Sequence, residues 1–129
     1  MLDTNAVIMA IRHRDWPIFQ KIKAHIGKDL FISVITLGEL EYGIKKSSRP
    51  EVTRVGVYTF LAGVPVIDFD AEAAKHFGDI FGDLELKRMR ISDRDTMIAT
   101  HARSLGYILV TNNTREFSRV EGLKIEDWK

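Results

Sequence analysis

Apolar and polar positions along the chain predict helices that alternate with short apolar strands. Apolar residues recur at helical spacing, between capping and turn residues, in segments 5–12, 16–26, 36–46, 51–62, 71–89 and 92–105. Short apolar runs predict strands at 1–3, 30–33, 64–68, 107–111 and 123–126. Strands separated by helices favour the α/β class, with a central parallel sheet and helices on both faces.

Composition narrows the class of protein. A chain of 129 residues is expected to form one domain. The absence of cysteine excludes disulfides, thiolate metal sites and a cysteine nucleophile. The longest nearly apolar stretch, 55–67, contains glycine and proline and is shorter than the roughly 20 residues that cross a bilayer. We therefore expect a soluble, cytoplasmic protein without membrane contact. The net charge of +1 argues neither for nor against nucleic-acid binding.

Polar side chains follow two of the predicted strands. Asp3 ends the first strand. Thr111 ends the strand at 107–111, and Asn113 lies two residues after it. Ligands of open parallel sheets bind at the carboxyl ends of the strands, so these groups are candidates for one site. Asp3 taken alone is explained equally well as the N-cap of the next helix.

Two glutamates two residues apart on one helix face different sides of it. Glu41 has Lys45 four residues later, which predicts an ordinary exposed ion pair. Glu39 has no cation at helical spacing, so it is either exposed without a role or directed at a site.

The start of the helix at 92–105 carries two further acids. Ser92 followed by Asp95 is similar to a capping box, and Asp93 lies in the same first turn, where acids favour the helix dipole. Both a capping role and a role in a site stay open for Asp95.

A basic run, KRMR at 87–90, precedes this turn. Its cations, with the nearby Arg94, fit either the C-terminus of a helix or a rim that binds phosphate. We predict that they do both, with Arg88, Arg90 and Arg94 as weak candidates for substrate contact.

Four motifs together are specific: LDTN (2–5), GELEYG (38–43), I-x-x-x-D-x-x-I-A (91–99) and TNNTREF (111–117), followed by GLKIEDW (122–128). Their order and spacing resemble PIN-domain nucleases, and more narrowly the VapC-type toxins of VapBC toxin–antitoxin systems. Ser92 and Asp93 stand where these toxins usually have glycine and proline. The resemblance implies a PIN-like three-layer fold, a central parallel sheet with helices on both faces, formed by one domain over residues 1–129.

The resemblance also implies the site residues. Asp3, Glu39 and Asp95 would be the principal acidic metal ligands. Thr111 and Asn113 would complete the catalytic set, together with Glu116, which is either a fourth site acid or a surface acid beside Arg115. Asn5 would be a weak substrate contact. A ligand set made of oxygen atoms favours a hard cation, so we expect Mg²⁺, with Mn²⁺ as a possible substitute.

The implied function is metal-dependent endoribonuclease activity, as the toxin of a type II toxin–antitoxin pair. Its partners would be RNA, a cognate antitoxin that inhibits it and a second copy in a homodimer, with a larger complex formed with the antitoxin. The alternative is a PIN-like module that binds RNA or protein without cutting it. Converging carboxylates argue against that alternative, because without a metal they would repel RNA, and a metal-binding titration distinguishes the two.

Overall fold

The computed structural model describes residues 1–129. Its helices are α1 (Thr4–Arg12), α2 (Pro17–His25), α3 (Val34–Lys46), α4 (Pro50–Leu61), α5 (Ala71–Leu86), α6 (Asp93–Leu105) and α7 (Thr114–Phe117). Its strands are β1 (Ile32–Ser33), β2 (Val66–Ile67), β3 (Leu109–Val110) and β4 (Ile125–Glu126). None of the helices has the length and apolar character needed to cross a membrane.

All strand pairs are parallel, and the N-terminal segment joins them into one sheet. β1 pairs with β2, β3 pairs with β4, and Leu2 bridges β1 on one side and β3 on the other. The Leu2 N–H donates to Phe31 O (3.0 Å), and the Asp3 N–H donates to Val110 O (3.0 Å). The chain continues from Leu2 to one side of the sheet and returns later to the other, so Asp3 lies at a reversal of strand order.

Buried apolar residues form one core on each face of the sheet, which confirms the three-layer prediction. The first core packs α1 to α4 against the strands, with Val7, Ile22 and Ile44 at its centre. The second packs α5 and α6 on the other face and includes Leu84 and Ile98. The alternation of side chains along a strand sends Leu109 to the second core and Val110 to the first.

The predicted helix over 71–89 ends three residues early, at Leu86. The N–H groups of Arg88 and Met89 donate to the carbonyls of Glu85 and Leu84, which closes the helix in a Schellman motif. This motif requires a left-handed residue, and Arg88 takes that conformation with φ 55°. The sequence has no glycine here to signal the end of the helix, so the prediction from helical periodicity extends too far.

The ends of the other predicted helices lie within two residues of the sequence prediction. The four strands are shorter than predicted, with two residues each, and the predicted strand at 1–3 is reduced to the bridges of Leu2. Helix α6 ends at the left-handed Gly106 (φ 68°), as its sequence predicts. Helix α7 is absent from the prediction, because its four residues are too few to show a helical period.

Arg88→Gly is expected to stabilise the protein. Glycine adopts φ near 55° without the steric cost that an arginine Cβ incurs, so the free energy of unfolding should rise by about 0.5–1 kcal/mol. Urea unfolding measures it. Arg88→Ala removes the same charge but keeps the Cβ, and it should give no such gain. An equal gain in both variants would contradict the conformational explanation.

Candidate active site

The Asp3 carboxylate is the buried centre of the candidate site, with the residue only 3% exposed. Its Oδ1 accepts a hydrogen bond from the Ala6 N–H at 2.7 Å, so Asp3 is the N-cap of α1. Its Oδ2 accepts from the Thr111 hydroxyl at 2.6 Å. The capping interpretation is therefore correct, and it coexists with a link to the end of β3.

The electrostatics of Asp3 show that other carboxylates lie near it. Burial raises the pKa of Asp3 from 3.8 to about 6. Hydrogen bonds from Thr111 and Ala6 oppose this rise, while the negative charges of Asp95 and Glu39 add to it. Three acids that are remote in sequence thus share one region at the carboxyl edge of the sheet.

Glu39 reaches this region from the second turn of α3. Its Oε1 accepts from the Thr4 hydroxyl at 2.6 Å, and its Oε2 accepts from Arg94 Nε at 3.0 Å. The Thr4 hydroxyl also lies 3.1 Å from the Thr36 hydroxyl, one turn before Glu39 on α3. Glu39 therefore has a cationic partner after all, which local spacing missed because Arg94 is 55 residues away.

The predicted ion pair between Glu41 and Lys45 is wrong. Glu41 accepts hydrogen bonds from Arg54, at 3.1 Å, and from Tyr58, both on α4. Packing of α4 against α3 supplies these partners, and a local helix rule cannot anticipate them. The prediction that Glu39 and Glu41 face different surroundings is confirmed.

Asp95, rather than Asp93, is the α6 acid that belongs to the site. Burial raises the pKa of Asp95, and the charges of Glu39 and Glu116 raise it further, against the effects of Ser92 and Arg94. Asp93 is exposed and pairs with Arg90 at 3.3 Å. Ser92 is the N-cap of α6, since its hydroxyl accepts the Asp95 N–H at 3.1 Å. The resemblance to a capping box is thus confirmed at Ser92.

The TNNTREF stretch brings a fourth acid towards Asp95. The Asn113 N–H donates to the Thr111 hydroxyl oxygen at 2.9 Å, and Asn113 Nδ2 donates to Glu116 Oε2 at 3.0 Å. Asn113 therefore holds Glu116 while its backbone holds Thr111, the residue that binds Asp3. Asn5 lies exposed in the first turn of α1.

Of the basic residues predicted to rim the site, only Arg94 is paired with one of its acids. Lys87 pairs with Asp83 at 3.0 Å. Arg90 pairs with Asp93 and lies over the Phe81 ring. Arg88 is exposed at the end of α5. Contact between this stretch and RNA phosphate stays a prediction.

The donor set fits a hard cation by its chemistry, although the side chains do not enclose one as they stand. No three Asp, Glu or His residues form a ready metal-binding cluster. Each oxygen of Asp3 and Glu39 accepts one hydrogen bond, which leaves lone pairs for coordination. Carboxylate oxygens, with no thiolate among them, are the ligands that Mg²⁺ and Mn²⁺ prefer.

Comparison with known proteins decides the family. The PIN domain model matches residues 1–123. The tRNA(fMet)-specific endonuclease VapC of Shigella flexneri is 44% identical over 128 residues, covering 99% of this chain and 96% of the relative. Ribonuclease VapC2 of Haemophilus influenzae is 42% identical with the same coverage. The chain belongs to the PIN domain family. Within it, the chain is a VapC-type ribonuclease, as its motifs predicted.

Solved structures agree with this PIN-domain assignment. VapBC2 of Rickettsia felis, bound to a DNA fragment from the promoter, matches with a TM-score of 0.94 and 34% identity, covering 100% of this chain and 98% of that one. DNA-bound VapBC of Salmonella typhimurium matches with a TM-score of 0.94 and 42% identity, covering 100% and 97%. The predicted PIN fold is confirmed.

Two hydroxyl groups of this PIN-domain site are not among the residues predicted from the motifs. Thr4 donates to the Glu39 carboxylate, and Thr36 contacts the Thr4 hydroxyl. The sequence positions of both residues indicate a contact with the site. Thr4 directly follows the first acid, and Thr36 lies three residues before Glu39, which is one helical turn.

Asp3→Asn is expected to stabilise the metal-free protein at neutral pH. Because folding raises the pKa of Asp3 from 3.8 to about 6, its ionised form destabilises the fold above pH 6, and the penalty disappears as pH falls towards 3.8. Asparagine can still cap α1 without the charge. Thermal unfolding in EDTA should give the variant a gain of about 1–3 kcal/mol at pH 7.5.

The same comparison at pH 4 provides the control for this prediction. Wild-type Asp3 is then largely protonated when folded, so the advantage of the variant should shrink or vanish. An advantage of the same size at both pH values would show that the Asp3 charge does not cause it.

Proposed function

We propose that this VapC-type ribonuclease cuts RNA by divalent-metal-dependent hydrolysis at the Asp3 site. The observation that carries the proposal is the convergence of Asp3, Glu39 and Asp95. Burial is the main cause of the raised pKa of Asp3 and of Asp95, and the negative charge of Glu39 adds to both. Such negative charge weakens the binding of a polyanion unless a cation lies among the acids. These three acids would hold the ion, with Glu116 beside Asp95.

A bound Mg²⁺ or Mn²⁺ ion supplies an activated water and offsets negative charge on the phosphodiester. The chain's own residues keep the acids in place. Thr111 holds Asp3 and Thr4 holds Glu39, so each carboxylate has a fixed orientation before substrate arrives. Asn113 positions Glu116 in the same way.

The proposed substrate class is transfer RNA, and the proposed inhibitor is a cognate antitoxin. The first is supported by the Shigella flexneri relative, which is named as a tRNA(fMet)-specific endonuclease. The second is supported by the two VapBC structures, with TM-scores of 0.94. Cationic Arg88, Arg90 and Arg94 near Asp95 would offset the repulsion between the acidic site and RNA.

Purified protein is expected to cut RNA only when Mg²⁺ or Mn²⁺ is present, because the acids need a cation to bind phosphate and to form a nucleophile. Total RNA is incubated with the protein, and the cleaved ends are sequenced to find the RNAs cut. Asp3→Asn, which keeps the helix cap, is the matched inactive control. Full cleavage in excess EDTA would refute metal dependence, and cleaved ends absent from tRNA would refute the substrate class.

Glu39→Gln is expected to lower cleavage by roughly a hundredfold or more, whereas Glu41→Gln should change it by about twofold or less. Glutamine removes the charge from the site in the first case. In the second it alters only a surface contact with Arg54 and Tyr58. Initial cleavage rates measure the difference, and circular dichroism checks that both variants fold. Equal losses in two folded variants would show that Glu39 has no special role.

A further inference from the structure

Arg94 places a cation against an expected metal ligand. Its Nε–H donates to Glu39 Oε2 at 3.0 Å, and the two side chains are 66% and 20% exposed, respectively. Arg94 also precedes Asp95 directly, and its charge partly offsets the rise that burial causes in the pKa of Asp95. One guanidinium thus interacts with two of the acids that would hold a metal ion.

The neighbouring cations do not share this position. Lys87 is paired with Asp83, and Arg90 is paired with Asp93 and stacked on Phe81. Helix α6 starts at Asp93, so Arg94 is fixed in its first turn while most of its side chain stays in solvent. The contact with Glu39 is therefore specific to Arg94 and can break without unpacking a core.

The contact uses a carboxylate oxygen that a metal ion would need. Glu39 Oε1 already accepts from Thr4, so Arg94 occupies the other oxygen, Oε2. A divalent cation bound beside Glu39 would repel the guanidinium and compete with it for the same carboxylate. The terminal nitrogens of Arg94 make no hydrogen bond in the structure, so the fork they form is free for a phosphate group.

We propose that Arg94 is an internal counter-ion of the site, which pairs with Glu39 in the metal-free protein and is displaced when the metal binds. The released guanidinium then faces the RNA phosphate. Arg94 thereby sets the metal concentration at which the site fills, and it limits repulsion among the acids until then. This inference rests on the proposed metal dependence of the site.

Isothermal titration with Mg²⁺ and with Mn²⁺ tests the competition directly, without RNA. Arg94→Gln should tighten metal binding roughly fivefold, the factor expected when one partly exposed ion pair no longer has to be broken. Arg90→Gln removes the same charge four residues earlier, where the pair is with Asp93, and should change the dissociation constant by less than about twofold.

Arginine side-chain NMR tests the displacement. The Arg94 Nε–H signal, assigned by its loss in Arg94→Lys, should move towards the position of free arginine as Mg²⁺ saturates the site. The Arg103 Nε–H, which donates to His76 Nδ1 at 3.0 Å, should not move and is the internal control.

The outcomes separate this inference from the proposed function. Mg²⁺ binding that is equally tight in wild type and Arg94→Gln, or an Arg94 signal that does not move at saturation, overturns the counter-ion role and leaves metal dependence standing. Equal tightening in Arg94→Gln and Arg90→Gln also overturns it, because general charge would then explain the effect. Absence of saturable binding in every variant overturns both proposals.

Discussion

A single buried carboxylate, that of Asp3, sets the conditions for the rest of the site. It lies at the carboxyl edge of the sheet, between β1 and β3, where the order of the strands reverses. Burial alone disfavours its charge, and two further acids nearby disfavour it more. Two hydrogen bonds, from Ala6 and Thr111, are the compensation within the chain. The fold therefore contains a buried negative charge that two hydrogen bonds stabilise only in part.

The hydroxyl groups around Asp3 and Glu39 determine what this charge can do. Thr111 joins Asp3 to the end of β3, and Thr4 joins the first turn of α1 to Glu39 on α3. Each hydroxyl fixes a carboxylate without neutralising it, so the site stays both oriented and negative. That combination suits a cation, whereas a full set of salt bridges would have cancelled the charge. The one salt bridge present, between Arg94 and Glu39, is largely exposed on the arginine side.

The same structure reconciles interpretations that competed at the level of sequence. Asp3 is both the cap of α1 and the centre of the site, because one of its oxygens serves each role. Asp93 and Asp95 share a helical turn, but Asp93 is exposed and pairs with Arg90, whereas Asp95 is half-buried and the charges of Glu39 and Glu116 act on it. Capping and function are compatible here, since helix N-termini at the carboxyl edge of the sheet place their first residues in the site.

Sequence alone determined the family and the layers of the fold, and it indicated the acids that the fold brings together, since these follow from hydrophobic period and from motifs that are local in the chain. It could not determine the partners of Glu39 and Glu41, because Arg94 lies 55 residues from the first, and Arg54 and Tyr58 lie 13 and 17 residues from the second. The prediction from sequence also extends past the end of α5, because Arg88 adopts there a left-handed conformation that glycine usually signals. Pairings between elements depend on how helices pack, and only the tertiary structure decides that.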